Sequence, residues 1–461
     1  MKIAIIGSGI AGLSCAWLLA RNADESQMKS HQREVTLFEQ HDYLGGHTNT
    51  IDVTFEGITY PVDTGFLVFN DWTYPNLIAM LAHLDVETAA SDMSFGVKLT
   101  NAAGHSELEW CGSDSLSSVF AQPGNLFKPK FLIMLRDLLR FNKAATALTR
   151  GNEIYKKNET PLLAGTLGQY LLKNGYSQAF RDYYLVPMAA CIWSTPTKRI
   201  EDFPLATFMN FCANHGLISV NNRPQWRTIR GGARNYVQKI AATLSDIRLN
   251  SRIQSVTRAN NKIKIKTEAG VEHFDHVVFA CHTDQTLALL ADEHENERDI
   301  LRQIPYQPNT AILHTDASVL PNRKRAWAAW NYQAATRIHA ADNDSPVSLT
   351  YLLNKLQPTP FSSPVMVTMN PLTPIAPSKI IKAIQYDHPL FLPASVPAKK
   401  ALRSIQGRQN TWYAGAWTRY GFHEDGLMSG IAVARALGAN VPWATNTPAA
   451  NDLASQYPGI T

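Results

Sequence analysis

The residues Lys2-Ile3-Ala4-Ile5-Ile6 lead straight into Gly7-Ser8-Gly9-Ile10-Ala11-Gly12. A buried-type strand followed by G-x-G-x-x-G is the spacing that holds the pyrophosphate of a dinucleotide. Gly7 permits the tight turn out of the strand, Gly9 lets backbone approach the phosphates, and Gly12 lets the next helix pack on the sheet. Around Ser8, Ile10 and Ala11 the helix N-terminus offers N–H groups and the positive end of its dipole. Leu13, Trp17 and Ala20 continue at helical spacing. A second strand, Val35–Phe38, ends at Glu39, where an acid meets the ribose hydroxyls. Glu39 lies 27 residues beyond Gly12, against the ~20 usual for this pattern. The surplus is the polar stretch 22–33, which reads as an insertion between helix and strand.

The elements that follow choose the dinucleotide. Glu39 and Gln40 precede Gly45-Gly46-His47 in the run Phe38–Thr48. This segment resembles the flavin-containing amine oxidase and phytoene desaturase superfamily, in which fingerprint, acid and glycine doublet together hold FAD. Without the doublet, NAD is the default. Tyr60–Phe69, containing Thr64-Gly65-Phe66, is similar to the segment that runs past the flavin ring. Ser251-Arg252-Ile253 is similar to the segment that contacts adenine through its backbone. Trp412-Tyr413-Ala414-Gly415 and then Asp425-Gly426-Leu427 resemble the last strand and the helix whose N-terminus faces the flavin pyrimidine. That dipole stabilises negative charge on reduced flavin.

The resemblance implies an α/β fold: a Rossmann-like FAD-binding domain (GR2/amine oxidase type) with an interleaved α+β substrate domain. The expected division is 1–75, 216–289 and 401–440 for FAD, 76–215 and 290–400 for substrate, and a loose tail at 441–461. Helical patterns dominate 76–215, as in Asn76–Leu84 and Phe131–Leu139. Strand-like runs are Ile247–Val256, Ile263–Thr267, Phe274–Cys281, Thr310–His314, Val347–Leu352 and Val365–Met369.

Three strings, Pro61–Phe66, Arg223–Thr228 and Tyr420–Gly426, are similar to bacterial FAD-dependent proteins related to a desaturase of methylated fatty acyl chains in furan fatty acid formation. That resemblance implies an apolar, lipid-like substrate and a partner methyltransferase of the cyclopropane synthase type. The chain also departs from the amine oxidases. Their lysine near the flavin has no counterpart in Ile304–Pro321, where Ala311 stands. The arginines flanking their glycine doublet are Tyr43 and His47 here. The acid after their last-strand glycine is replaced by Ala416-Trp417. Arginine is a fixed charged fork, while histidine is charged conditionally. The rivals are a flavin amine oxidase, disfavoured by the missing lysine, and a non-catalytic flavoprotein that binds lipid or the methyltransferase.

Other clusters have a chemical reading and a structural one. His423 and Glu424, beside Asp425, could move a proton next to the flavin; alternatively Asp425 caps a helix and the other two face solvent. The set Trp193, Trp226, Trp327, Trp330, Tyr332, Tyr351 and Trp417 could line an apolar tunnel, with Trp193, Trp330, Tyr332 and also Phe422 as the candidate lining residues, or fill an ordinary core. Asp63 reads as structural. Lys128–Lys143 is an apolar helix edged with cations; a core-facing helix with a solvated basic side is the leading reading, and contact with an anionic membrane the other.

Composition bounds the rest. The chain has 461 residues, 45% hydrophobic and 18% charged, with net charge +5. Such a mild charge gives no case for nucleic acid. Five scattered cysteines, without C-x-x-C or metal spacing, suit a reducing compartment, and no metal is expected. No apolar run is long enough to span a bilayer. A first strand at residue 3 leaves no room for a signal peptide, so the expected location is the cytoplasm, with peripheral contact at the inner membrane face left open.

Overall fold

The computed structural model describes residues 1–21, 33–101, 103–112, 115–149, 165–193, 200–218, 223–335, 348–390 and 392–443. Residues 22–32 of the expected insertion and most of the expected tail lie outside these residues. The elements that position the site are β1 (Lys2–Ile6), α1 (Ile10–Ala20), β2 (Glu34–Phe38), α2 (Pro75–His83), α3 (Pro129–Thr149), β3 (Asp246–Arg248), β4 (His276–Phe279), β5 (Tyr306–His314), β6 (Ile380–Pro389), β7 (Thr411–Tyr413) and α4 (His423–Ala436).

The fold is α/β. A five-stranded sheet runs in the order β3-β2-β1-β4-β7, and every pairing is parallel. β1 and β2 are each buried at four consecutive positions, as strands covered on both faces must be. α1 is buried from Ile10 through Leu19, so it is an interior helix. It packs against α4 at Gly430, where a Cβ would collide with the Ala11 carbonyl and the Ser14 hydroxyl. The chain leaves β1 toward β2 on one side and pairs with β4 on the other. The carboxyl end of β1 is therefore the topological switch point at which such sheets take ligands.

A second sheet of seven strands has the order β6-β5-Met366–Met369-Ser348–Leu352-Trp330–Ala335-Phe95–Thr100-Ser106–Gly112. Phe95–Thr100 and Ser106–Gly112 correct the expectation of a helical 76–215. They form an antiparallel pair whose alternation is blurred because Gly96–Leu99 are all buried. The expected strand Ile247–Val256 is likewise two, β3 and Ile253–Ala259. Asn250, at φ 51°, breaks the run, and Asn250 N and Ser251 N donate back to the carbonyls of His41 and Glu39. No helix among the described residues is long and apolar enough to cross a membrane.

Candidate FAD site

The turn after β1 is built by exclusion of side chains. Gly7 has φ +103°, and a Cβ there would lie 2.7 Å from the Ala280 carbonyl oxygen. A Cβ on Gly12 would collide with the Gly7 carbonyl. A Cβ on Gly9 would meet nothing within 4 Å. The first backbone bond of α1 runs from Leu13 N to the Gly9 carbonyl, so the N–H groups of the turn before it, Ile10 and Ala11 included, have no intrahelical acceptor. Ser8 is buried; its N–H and hydroxyl donate to Glu39 Oε2 at 3.0 and 2.6 Å, and His41 N donates to Glu39 Oε1 at 3.0 Å. Gln40 is exposed beside His41, so its side chain is not part of this turn.

The doublet closes over the fingerprint. Gly45 N donates to the Ser8 carbonyl, and a Cβ on Gly46 would sit 3.3 Å from Gly9 Cα. His47 follows, stacked on Tyr386 at 4.8 Å and 5.4 Å from the His388 ring. Burial holds the His47 imidazole well below its usual pKa, with His388, His282 and His423 adding repulsion. Its Nε2 is buried and has no hydrogen-bond partner among the described residues, and the same holds for His282 Nδ1. The 64–66 segment is zipped to this loop. Phe66 N donates to the His47 carbonyl, and the Thr64 hydroxyl donates to the Asn49 carbonyl at 2.8 Å and meets Tyr386 Oη at 2.9 Å. A Cβ on Gly65 would collide with the His47 carbonyl.

The N-terminus of α4 arrives at the same place. A Cβ on Gly426 would lie 2.8 Å from Ile10 Cγ2, and Leu427 is fully buried. Asp425 Oδ2 accepts from the N–H groups of Phe422 and Tyr420 at 3.0 and 3.1 Å. Burial pushes its carboxyl up, opposed by Arg419 and those donors. His423 stacks face to face on Phe66 at 3.7 Å. Its Nε2 meets Tyr236 Oη at 2.9 Å, and Tyr236 Oη meets Thr48 Oγ1 at 2.6 Å. Burial lowers the His423 pKa to about 3. With its Nε2 taken by Tyr236 and its ring laid on Phe66, His423 has the contacts of a support, which corrects the reading of it as acid or base. Glu424 is corrected too. One oxygen accepts from Asn76 N and Nδ2 and the other from Leu77 N, at 2.8–2.9 Å, so it anchors the first turn of α2. Gly415 N donates to Ser429 Oγ at 2.8 Å, and the Trp417 indole packs where a Gly415 side chain would stand.

The aromatic set divides. Phe422 stacks on Phe211 at 4.9 Å and lies 5.3 Å from His215. Trp330 meets Tyr351 edge-on at 4.9 Å, and its buried Nε1 lacks a partner among the described residues. Tyr332 is buried in the same core. Trp193 ends a described helix, but its side chain lies outside the described residues. Ile253 is buried against Phe38 and Ile6 in another core cluster. Asp63 accepts from Ala233 N, Thr50 Oγ1 and Gln357 Nε2, a structural set of partners. Tyr236, Asn76, Tyr386 and His388 escaped the reading of the sequence, because each is brought in by tertiary contact from a segment without a motif, and Thr48, inside the glycine-doublet run, was given no role of its own.

The residues fit a flavin dinucleotide. Space is open at Gly9 at the start of α1, a second glycine loop lies against it, and two buried imidazole nitrogens have no partner among the described residues. The family model for flavin containing amine oxidoreductases matches residues 10–354. No curated protein sequence matches the chain. Among solved structures, a CLA-producing fatty acid isomerase from P. acnes superposes with TM-score 0.63 at 17% identity, over 94% of this chain and 98% of that one. Cyclohexylamine oxidase from Brevibacterium oxydans IH-35A gives 0.61 at 16%, over 95% and 99%. Putrescine oxidase bound to putrescine gives 0.63 at 13%, also over 95% and 99%. At these identities the structures share the fold.

Proposed function

The chain belongs to the flavin containing amine oxidoreductase family and is an FAD-dependent oxidoreductase, and from that premise we propose that it takes hydride from a C–H bond of an apolar, fatty-acyl or other lipid-like substrate. One observation carries the substrate class. The core that Phe422 and Trp330 pack against is built of apolar and aromatic side chains, Phe211 and Tyr351 among them. Ala311, standing where the amine oxidases have lysine, is buried in that core. Such surroundings favour an uncharged chain over an ammonium ion.

Bound FAD supplies the hydride acceptor. The first turn of α1 would hold the pyrophosphate at the gap beside Gly9, Glu39, fixed by Ser8 and His41, would hold the ribose, and His47 Nε2 would find a partner on the cofactor. Phe66 and His423 form a stacked wall, which Tyr236 and Thr48 hold through His423. The Asp425-capped start of α4 would support the ring end, and Phe422, Trp330 and Tyr332 would exclude water from the acyl chain. On the same reading a methyltransferase supplies the methylated acyl substrate, in the reducing cytoplasm where the five cysteines stay free thiols.

The test is anaerobic mixing of FAD-loaded protein with methyl-branched acyl phospholipids and, separately, with mono- and polyamines. Bleaching of the oxidised flavin band by the acyl lipid alone is the expected result. Bleaching by amines alone, with peroxide on re-aeration, would establish the amine oxidase instead. Bleaching by neither would leave a binding flavoprotein.

A further inference from the structure

Helix α3 has two faces. Phe131, Met134, Phe141 and Ala145 are buried and pack into the main core. The opposite face is apolar as well. Leu132 is 43% exposed, Leu139 60% and Ile133 37%. The turn just before the helix, Pro123–Phe127, adds Leu126 at 48% and Phe127 at 87%. Isolated exposed apolar residues need no explanation; a run of five along one turn and one helix face does.

The exposed charges of residues 126–143 have one sign. Lys128, Lys130, Arg136, Arg140 and Lys143 fall within or beside that face. At 3.6 residues per turn, Leu132, Arg136, Leu139 and Lys143 share a single stripe. Between residues 115 and 149 the only acid is Asp137. Asp137 is fully buried, bridged by Arg136 and Arg140 and accepting from Ser177 N. The outer face therefore presents cations without exposed carboxylates of its own.

We propose that this face docks on an anionic lipid bilayer, with Phe127, Leu126 and the exposed α3 leucines entering the interface and the lysines at phosphate level. Apolar tips beside cations are the combination that binds such surfaces. A second copy of the chain is the poorer occupant, because pairing this face with itself brings like charges together. The inference stands on the surface alone and does not depend on the substrate reading.

Sedimentation of the FAD-loaded full chain with vesicles tests it. Binding is expected to phosphatidylcholine–phosphatidylglycerol vesicles, weak on pure phosphatidylcholine, and reduced by salt. Phe127→Ser with Leu139→Ser should weaken binding at least about tenfold, and each of Lys130→Gln and Lys143→Gln by about fivefold. All of these side chains are exposed, so unchanged FAD content and circular dichroism report an intact fold. Equal binding to both vesicle types, no binding, or unchanged binding by the variants would overturn the proposal. So would self-association of the wild type that the serine variants abolish without any vesicle binding.

Discussion

Gly9→Val separates cofactor binding from folding. Gly9 has φ −63° and ψ 176°, a conformation open to any L-residue, and its Cβ would meet nothing within 4 Å. Valine is a poorer N-cap than glycine by about 1 kcal/mol. Against that, the unfolded chain loses freedom worth about 0.4–1 kcal/mol. The two nearly cancel, so the apoprotein should melt within a few degrees of wild type. FAD binding should suffer, because the side chain fills the space before the α1 N–H groups. Each charge-assisted hydrogen bond lost costs about 1.5–3 kcal/mol, or roughly ten- to a hundredfold in Kd. The assay is FAD titration by flavin fluorescence, with thermal unfolding in the absence and presence of FAD. A hundredfold excess over Kd stabilises wild type by about 2.7 kcal/mol, and the variant should gain little. Wild-type affinity in the variant would refute the pyrophosphate assignment. An apoprotein that fails to fold would refute the open gap.

Gly12→Ala should behave oppositely. Its Cβ collides with the Gly7 carbonyl, so the fold should lose at least about 2 kcal/mol with or without FAD, read from the urea midpoint. Glu424→Gln tests the α2 anchor through pH. Burial pushes the folded carboxyl up to about 7, above its unfolded value, so its contribution is complete below about pH 4.5 and is lost as pH rises through about 7. Glutamine does not titrate, so the stability gap between wild type and variant should shift in the variant's favour by on the order of 3 kcal/mol across that window; a constant gap would sink the idea. His215 has the reverse sign. Its folded pKa of about 4 is depressed, so stability present above about pH 6.5 is lost as pH falls toward 4. His215→Gln should flatten the acid limb of the denaturation profile, and an unchanged slope would count against a neutral imidazole there.

The cofactor was legible because its binding rests on backbone and on the absence of side chains. Gly7, Gly9, Gly12, Gly45 and Gly46 are local requirements of a turn, so their spacing in one dimension already states the geometry. β1, β2, α1 and α4 were legible for a related reason: strands covered on both faces and an interior helix leave unbroken apolar runs. The pair 95–112 and the break at Asn250 were not, since a fully buried run lacks alternation and one αL residue carries little signal.

Side-chain roles needed the fold. His423-Glu424-Asp425 are adjacent in the chain and look like one polar cluster. α4 sends them three ways: His423 onto Phe66 and Tyr236, Glu424 to the start of α2, and Asp425 back to its own cap. Successive helical residues diverge by about 100°, and what each meets is decided by partners up to 348 positions away. Burial then sets their protonation, which no sequence neighbour could. The sequence by itself determined that a flavin dinucleotide is held and which glycine turns are shaped for its phosphates. Only the tertiary structure decided that the expected acid and base are an aromatic support and a helix anchor, and that the second apolar face of α3 meets solvent. Backbone requirements are written locally, whereas desolvation and side-chain pairing belong to the packed whole.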